Sequence, residues 1–262
     1  MILNPLGPGL EIAWDLVAMV LSIIAVMMVV QINGTIRKTG KLSSNVTRKV
    51  VHIFAAPVFA LTWYLYPGDA YSRYFAMIVP ILFVLLFAGI GMGKVKNEAF
   101  VASMSRSGDP KELLRGTLYY AMMIVIVTFF WFYYPATPMG LVIFGCLAGG
   151  DGLADIIGRK YGGNRKFGIG GAEKTMAGSA GMFFGSFLFS YILIAIFSLE
   201  VAAFNLVNLF LPILVISLVA TLVEALSPKN VDNWTVPLAV IVMVVLFIYF
   251  MPTWWPFALL SF

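Results

Sequence analysis

The chain has a single cysteine, Cys146, and a single histidine, His52, in 262 residues. A lone cysteine excludes an internal disulfide and any metal cage built from thiolates. Charge is scarce as well: Asp, Glu, Lys and Arg make up 11% of the chain, against 61% hydrophobic residues. With a mean hydropathy of +0.96, this composition excludes a soluble globular domain and places the chain among polytopic membrane proteins. There is no basic opening segment followed by a small-residue cleavage site. The first apolar stretch therefore reads as a retained helix and not as a signal peptide. HExxH, GxSxG and DFG motifs are also missing. Gly89-Ile90-Gly91-Met92-Gly93-Lys94 has the outline of a P-loop, but Ala88 and Val95 stand where that loop needs Gly and Ser or Thr.

The chain does have long hydrophobic runs. About 20 apolar residues cross a bilayer core, and eight such runs are readable near 12–32, 50–66, 73–93, 117–134, 139–158, 175–197, 203–226 and 236–253. The expectation is an all-α polytopic membrane protein of about eight transmembrane helices, with seven to nine compatible with the pattern. Residues 1–262 read as one integral-membrane domain with no soluble domain attached. The loop 94–116 has room for a short interfacial helix, with Asp109-Pro110 as a start signal.

Loop charge sets the orientation. Arg37, Lys38, Lys41, Arg48 and Lys49 follow the first run, and Lys94, Lys96, Arg106, Lys111 and Arg115 follow the third. Arg159, Lys160, Arg165, Lys166 and Lys174 follow the fifth, and Lys229 follows the seventh. All of these fall on one side under eight-span parity; only Arg73 lies opposite. The positive-inside rule makes that side cytoplasmic and puts both termini outside, as expected of a cell-membrane protein. The net charge of +5 is thus explained by orientation and phosphate binding, without nucleic acid.

Every polar cluster with chemical potential lies on that same face. Asp151 and Asp155 sit one helical turn apart in the segment Gly149–Lys160. A carboxylate at mid-bilayer costs about 2.5–3.5 kcal/mol on insertion scales. A pair of hard oxygen ligands suits Mg²⁺, which completes its shell with water and phosphate oxygens. The glycines Gly150 and Gly152 leave room for a ligand or a second backbone to approach. The bland alternative is two solvated first-turn charges.

Lys174 opens the sixth run, with Thr175 a candidate N-cap and Gly178 and Ser179 small residues behind it. A lysine there opposes the helix dipole unless both face an anion, which makes the group a candidate phosphate cradle. A snorkelling lysine is the alternative, and Gly181 and Gly185 fit helix packing better than ligand binding. Arg48, Lys49 and His52 start the second run and suit phosphate binding or proton transfer, or else simple topogenic charge. Glu224 sits where a helix C-terminus disfavours negative charge, so a metal or substrate-hydroxyl role fits it. Asp232 and Asn233 either join it or cap the following helix.

Five motifs occur in order: Arg48-Lys49-x-x-His52, Arg115-Gly116-x-x-Tyr119-Tyr120, Gly150-Asp151-Gly152-x-Ala154-Asp155-x-x-Gly158-Arg159-Lys160-Tyr161-Gly162, Lys174-Thr175-x-x-Gly178-Ser179, and Glu224 followed by Asp232-Asn233-x-x-Val236-Pro237. Over residues 48–240 the chain resembles the diacylglycerol/polyprenol kinase group, which includes dolichol and phytol kinases. The resemblance implies a membrane kinase acting on a long-chain isoprenoid alcohol, commonly with CTP as donor. It also implies kinship with the cytidylyltransferases that form CDP-lipids. One departure is Thr175, where Ser is common in the group.

The expected reaction is transfer of the γ-phosphate of CTP or another nucleoside triphosphate to a lipid hydroxyl at the cytoplasmic face. Asp151 and Asp155 would hold Mg²⁺, and Lys174, Arg159 and Lys160 would neutralise charge on the transferred group. His52, an Asp or Glu224 would orient or deprotonate the alcohol. Arg48, Lys49, Gly150, Gly152, Thr175, Gly178, Ser179, Asp232 and Asn233 complete the candidate nucleotide-binding set. A cytidylyltransferase is the enzymatic alternative. An ion-coupled transporter or flippase is the non-enzymatic one, and it would need polar residues continuing towards the outer face.

Overall fold

The computed structural model describes residues 4–38, 44–105, 107–132, 137–229 and 231–261. Two of the basic loop residues, Lys41 and Arg106, lie outside the described residues. Among those described the chain is helical: α1 (Glu11–Lys38), α2 (Ser44–Leu61), α3 (Ser72–Gly91), α4 (Glu98–Met104), α5 (Gly116–Trp131), α6 (Met139–Phe144), α7 (Asp151–Tyr161), α8 (Met176–Phe197), α9 (Leu206–Leu226) and α10 (Asp232–Phe250). Seven helical segments are long and apolar enough to cross a membrane, the fourth of them the continuous run Met139–Tyr161. The chain is an all-α, multi-pass membrane protein. The run expected near 50–66 is α2 with the 3₁₀ turn Thr62–Leu65, and it is not among the seven. Arg48, Lys49 and His52 occupy its first turns and shorten its apolar part. The loop before α5 contains α4 and a 3₁₀ turn, Pro110–Leu114, started by the Asp109 carboxylate accepting the Lys111 N–H at 2.9 Å.

The chain divides into two compact units, Met1–Phe129 and Phe130–Phe262. In the first, α1 packs against α2, α3 and α4. Val30, Val51, Phe87, Ile90, Phe100 and Leu113 form a buried cluster there.

In the second unit α8 is the hub, packed against α6, α7, α9 and the segment joining α6 to α7. That segment, Gly145–Gly150, is a π turn, and the Asp151 N–H bonds back to the Cys146 carbonyl five residues earlier. Glycine explains how α8 comes so close. A Cβ on Gly149 would run into Phe189, and one on Gly150 into Ser186. From the other side, a Cβ on Gly181 would sit 2.8 Å from the Leu153 carbonyl oxygen, and one on Gly178 3.0 Å from that of Ala154. Gly185 likewise abuts the backbone of Gly149. Backbone thus packs on backbone, as in small-residue membrane helix pairs. This seam fixes the start of α7, where Asp151 sits.

Overpacking the seam should be costly. Gly185→Leu is expected to destabilise the protein by about 1–3 kcal/mol in a detergent unfolding assay. Leu188→Ala, on the exposed side of the same helix, should stay within about 0.5 kcal/mol of the unsubstituted chain.

Candidate active site

Three helix ends of the second unit bring acids together. Asp151 is the first residue of α7, Glu224 lies in the last turn of α9, and Asp232 is the first residue of α10. One carboxylate oxygen from each lies within 4.8 Å of the others. Asp151 lies within the continuous run Met139–Tyr161, its N–H already bonded to the Cys146 carbonyl, so it gains nothing from a helix start. Asp232 sits favourably at the positive end of α10. Glu224 does not: it is at the negative end of α9 and only 2% exposed. Its compensation is Lys174, whose ammonium donates to Glu224 Oε1 and reaches Asp232 Oδ2 at 3.4 Å.

Lys174 is held there by its backbone. Residues 162–175 form a small hairpin in which Phe167 and Lys174 exchange N–H···O bonds of 3.0 and 2.7 Å. The next residue, Thr175, caps α8 by accepting the Gly178 N–H at 3.0 Å. The lysine therefore arrives at the carboxylates from a β-bridge immediately before a capped helix.

Three carboxylates and one ammonium leave a formal charge of two negative. Oxygen-only donors of that net charge fit one hard divalent cation, Mg²⁺ being the ordinary choice beside phosphate.

No family model matches the chain, and no solved structure matches it. Among curated proteins it is 34% identical over 218 residues to a probable chloroplastic phytol kinase of Zea mays, covering 80% of this chain and 68% of that one. It is 33% identical over 210 residues to phytol kinase 1 of Arabidopsis thaliana, covering 79% and 68%. The chain belongs to the phytol kinase family. Farnesol kinase of Arabidopsis thaliana is also similar, at 36% over 211 residues, covering 78% and 66%. The chain thus spans about two thirds of the length of these relatives.

Within this member of the phytol kinase family, the other candidate residues are distributed unevenly. Asp155 shares a helix with Asp151, but one of its oxygens accepts from Arg159, one turn on, at 2.9 Å. Asp155 stands outside the three-carboxylate group, and Glu224 and Asp232 stand inside it. Lys160 is exposed, its ammonium 5.0 Å from the Tyr161 ring. Gly150 and Gly178 are taken up by the α7–α8 seam and Gly152 is buried, while the Thr175 hydroxyl is engaged as a cap. The Ser179 hydroxyl is buried with no hydrogen-bond partner among the described residues. Asn233 is buried beside Asp232, whose Oδ1 accepts its N–H at 3.1 Å. Arg48, Lys49 and His52 lie on α2 in the first unit. There the His52 ring lies against the Tyr120 ring, tilted by 34° with centroids 4.0 Å apart, and the Tyr120 hydroxyl donates to the His52 carbonyl at 2.7 Å. Sequence reasoning passed over this contact of Tyr120, although the residue was within a quoted motif.

Burial works to lower the Lys174 pKa, but the Glu224 and Asp232 carboxylates outweigh it and hold the ammonium above the ordinary lysine value. A folded-state value raised above the unfolded one stabilises fully below the unfolded value, about 10.4, and fades as pH rises through the folded value. Lys174→Met should cost about 3–5 kcal/mol, because it strands a buried carboxylate. Adding Glu224→Gln should recover much of that loss. Unfolding followed across alkaline pH should show a stability drop in the unsubstituted chain that Lys174→Met lacks.

Proposed function

We propose that the chain is a membrane kinase that transfers the γ-phosphate of a nucleoside triphosphate to the hydroxyl of a long-chain isoprenoid alcohol. The observation that carries this reading is the group of Asp151, Glu224, Asp232 and Lys174, in a chain whose relatives are named for phytol and farnesol kinase activity. The expected donor is CTP. Within the second unit, Arg159, Lys160, Arg165, Lys166, Lys174 and Lys229 share the face that carries the site while 198–205 has no Lys or Arg, which supports a cytoplasmic site and an outer C-terminus. An outer N-terminus requires α2 to cross as an eighth span, with residues 1–262 acting as one catalytic domain.

Asp151, Glu224 and Asp232 would hold Mg²⁺, which when bound neutralises donor phosphate oxygens. The alcohol oxygen attacks the γ-phosphorus, the bond from that phosphorus to the β,γ-bridging oxygen breaks, and the nucleoside diphosphate leaves. Lys174 stabilises charge on the transferred group from a fixed position, the largest catalytic contribution in such reactions. The alcohol proton passes to a carboxylate of the group. Asp232 suits that task better than Glu224, because its side chain is 19% exposed against 3%. Asp155 orients Arg159 towards the donor, and Lys160 adds positive charge at the same helix end.

Label transfer separates this reading from a cytidylyltransferase. With purified protein, a prenyl alcohol and CTP, lipid should acquire label from the γ-phosphate; label from the α-phosphate would overturn the kinase assignment. Asp151→Asn should lower kcat by about a hundredfold or more. Asp155→Asn, acting through Arg159, should cost about tenfold. Equal and small effects in both would remove Asp151 from the site.

A further inference from the structure

Both ends of the hairpin 162–175 are anchored in membrane-spanning segments, Met139–Tyr161 before it and Met176–Phe197 after it. Chain connectivity therefore holds it at the bilayer surface. Its apolar side chains do not turn inward: Phe167 is 38% exposed and Ile169 55%, and the flanking ends of the two spans add Tyr161 at 65% and Met176 at 76%. Interleaved with them are exposed basic side chains, Lys160, Arg165 and Lys166. The acids nearby are paired, Glu173 with Lys166 at 2.6 Å and Asp155 with Arg159. The surface that remains is apolar and carries the positive charges of Lys160 and Arg165.

We propose that this hairpin is a docking surface for the anionic phospholipid headgroups of the bilayer that holds the protein. Aromatic and aliphatic side chains at headgroup level, alternating with Lys and Arg, are the composition that interfacial segments use for anionic lipid. The charge complementarity selects anionic over neutral headgroups, and the position between two spans selects a membrane over a soluble partner. The proposal goes beyond the kinase reading and does not require it.

The hairpin is built to carry a docking event to the carboxylates. Phe167 and Lys174 are a cross-strand pair, so a displacement of one backbone moves the other. Ala172 donates to the Ile169 carbonyl at 3.1 Å, and Gly168, Gly170 and Gly171 take positive φ, which makes the tip a tight turn. A Cβ on Gly170 would sit 2.8 Å from Pro228, in the connection between Glu224 and Asp232. The docking surface is therefore tied at one end to Lys174 and at the other to the chain bearing its two partners.

The test uses the full chain without nucleotide, so it does not depend on catalysis. Cys146 is fully buried, so a nitroxide placed on Ile169→Cys is the accessible label. The protein is reconstituted in nanodiscs of phosphatidylcholine with and without phosphatidylglycerol, and label depth is read from oxygen and nickel-chelate accessibility. The label is expected at headgroup depth with phosphatidylglycerol and in water without it. Arg165→Gln should reduce the docking equilibrium roughly fivefold, and high salt should do the same. A label on Leu199→Cys, beyond the other end of α8, should not respond. A water-exposed label in both compositions, or equal depth in both, would overturn the proposal.

Discussion

The contact between the Lys174 ammonium and the Glu224 carboxylate is the constraint on which the rest of the second unit depends. A buried carboxylate at the negative end of a helix is doubly unfavourable, through desolvation and through the dipole. One ammonium offsets both, provided it is delivered to the spot without freedom to wander. The hairpin pairing of Lys174 with Phe167, the Thr175 cap and the glycine seam of α8 all serve that delivery. Asp232 then approaches from the start of α10, where negative charge is favoured, and Asp151 from the turn that follows the π segment.

This arrangement has an electrostatic consequence for chemistry. Lysine answers one formal negative charge of three, so two remain. On the proposed reading that remainder would attract a divalent cation, while the ammonium tempers the repulsion three carboxylates would exert on donor phosphates. This balance would suit a site that takes both a cation and a polyphosphate.

Much of this was legible in the sequence. The eight apolar runs gave the helices, because hydropathy over about 20 residues is a strong signal. Thr175 as a cap followed from helix-terminus physics, and the packing role of Gly181 and Gly185 from their small-residue spacing. The pairing within the cluster was not legible. Spacing along one helix joined Asp151 to Asp155, whereas the structure joins Asp151 to residues more than seventy positions away. Tertiary contacts across three helices leave no local periodicity. A signal did exist: Arg159 stands four residues after Asp155, the spacing of an intrahelical ion pair, which already offered Asp155 another partner. Likewise α2 fell short as an apolar span, because its first turns spend their length on Arg48, Lys49 and His52.

The π turn at Gly145–Gly150 has a meaning for how such a chain can vary. A π turn holds one more residue than the α-helical turn it replaces, so it behaves as an insertion absorbed within a helix. Shortening it by one residue would leave a helix of acceptable hydropathy and length, invisible to any count of membrane spans. A one-residue deletion elsewhere in Met139–Tyr161 would instead turn everything after it by about 100° relative to α6, carrying Asp151 off its facing. The stretch just before that carboxylate is thus where the run can change length by one residue and keep its register, a tolerance that composition and hydropathy cannot detect.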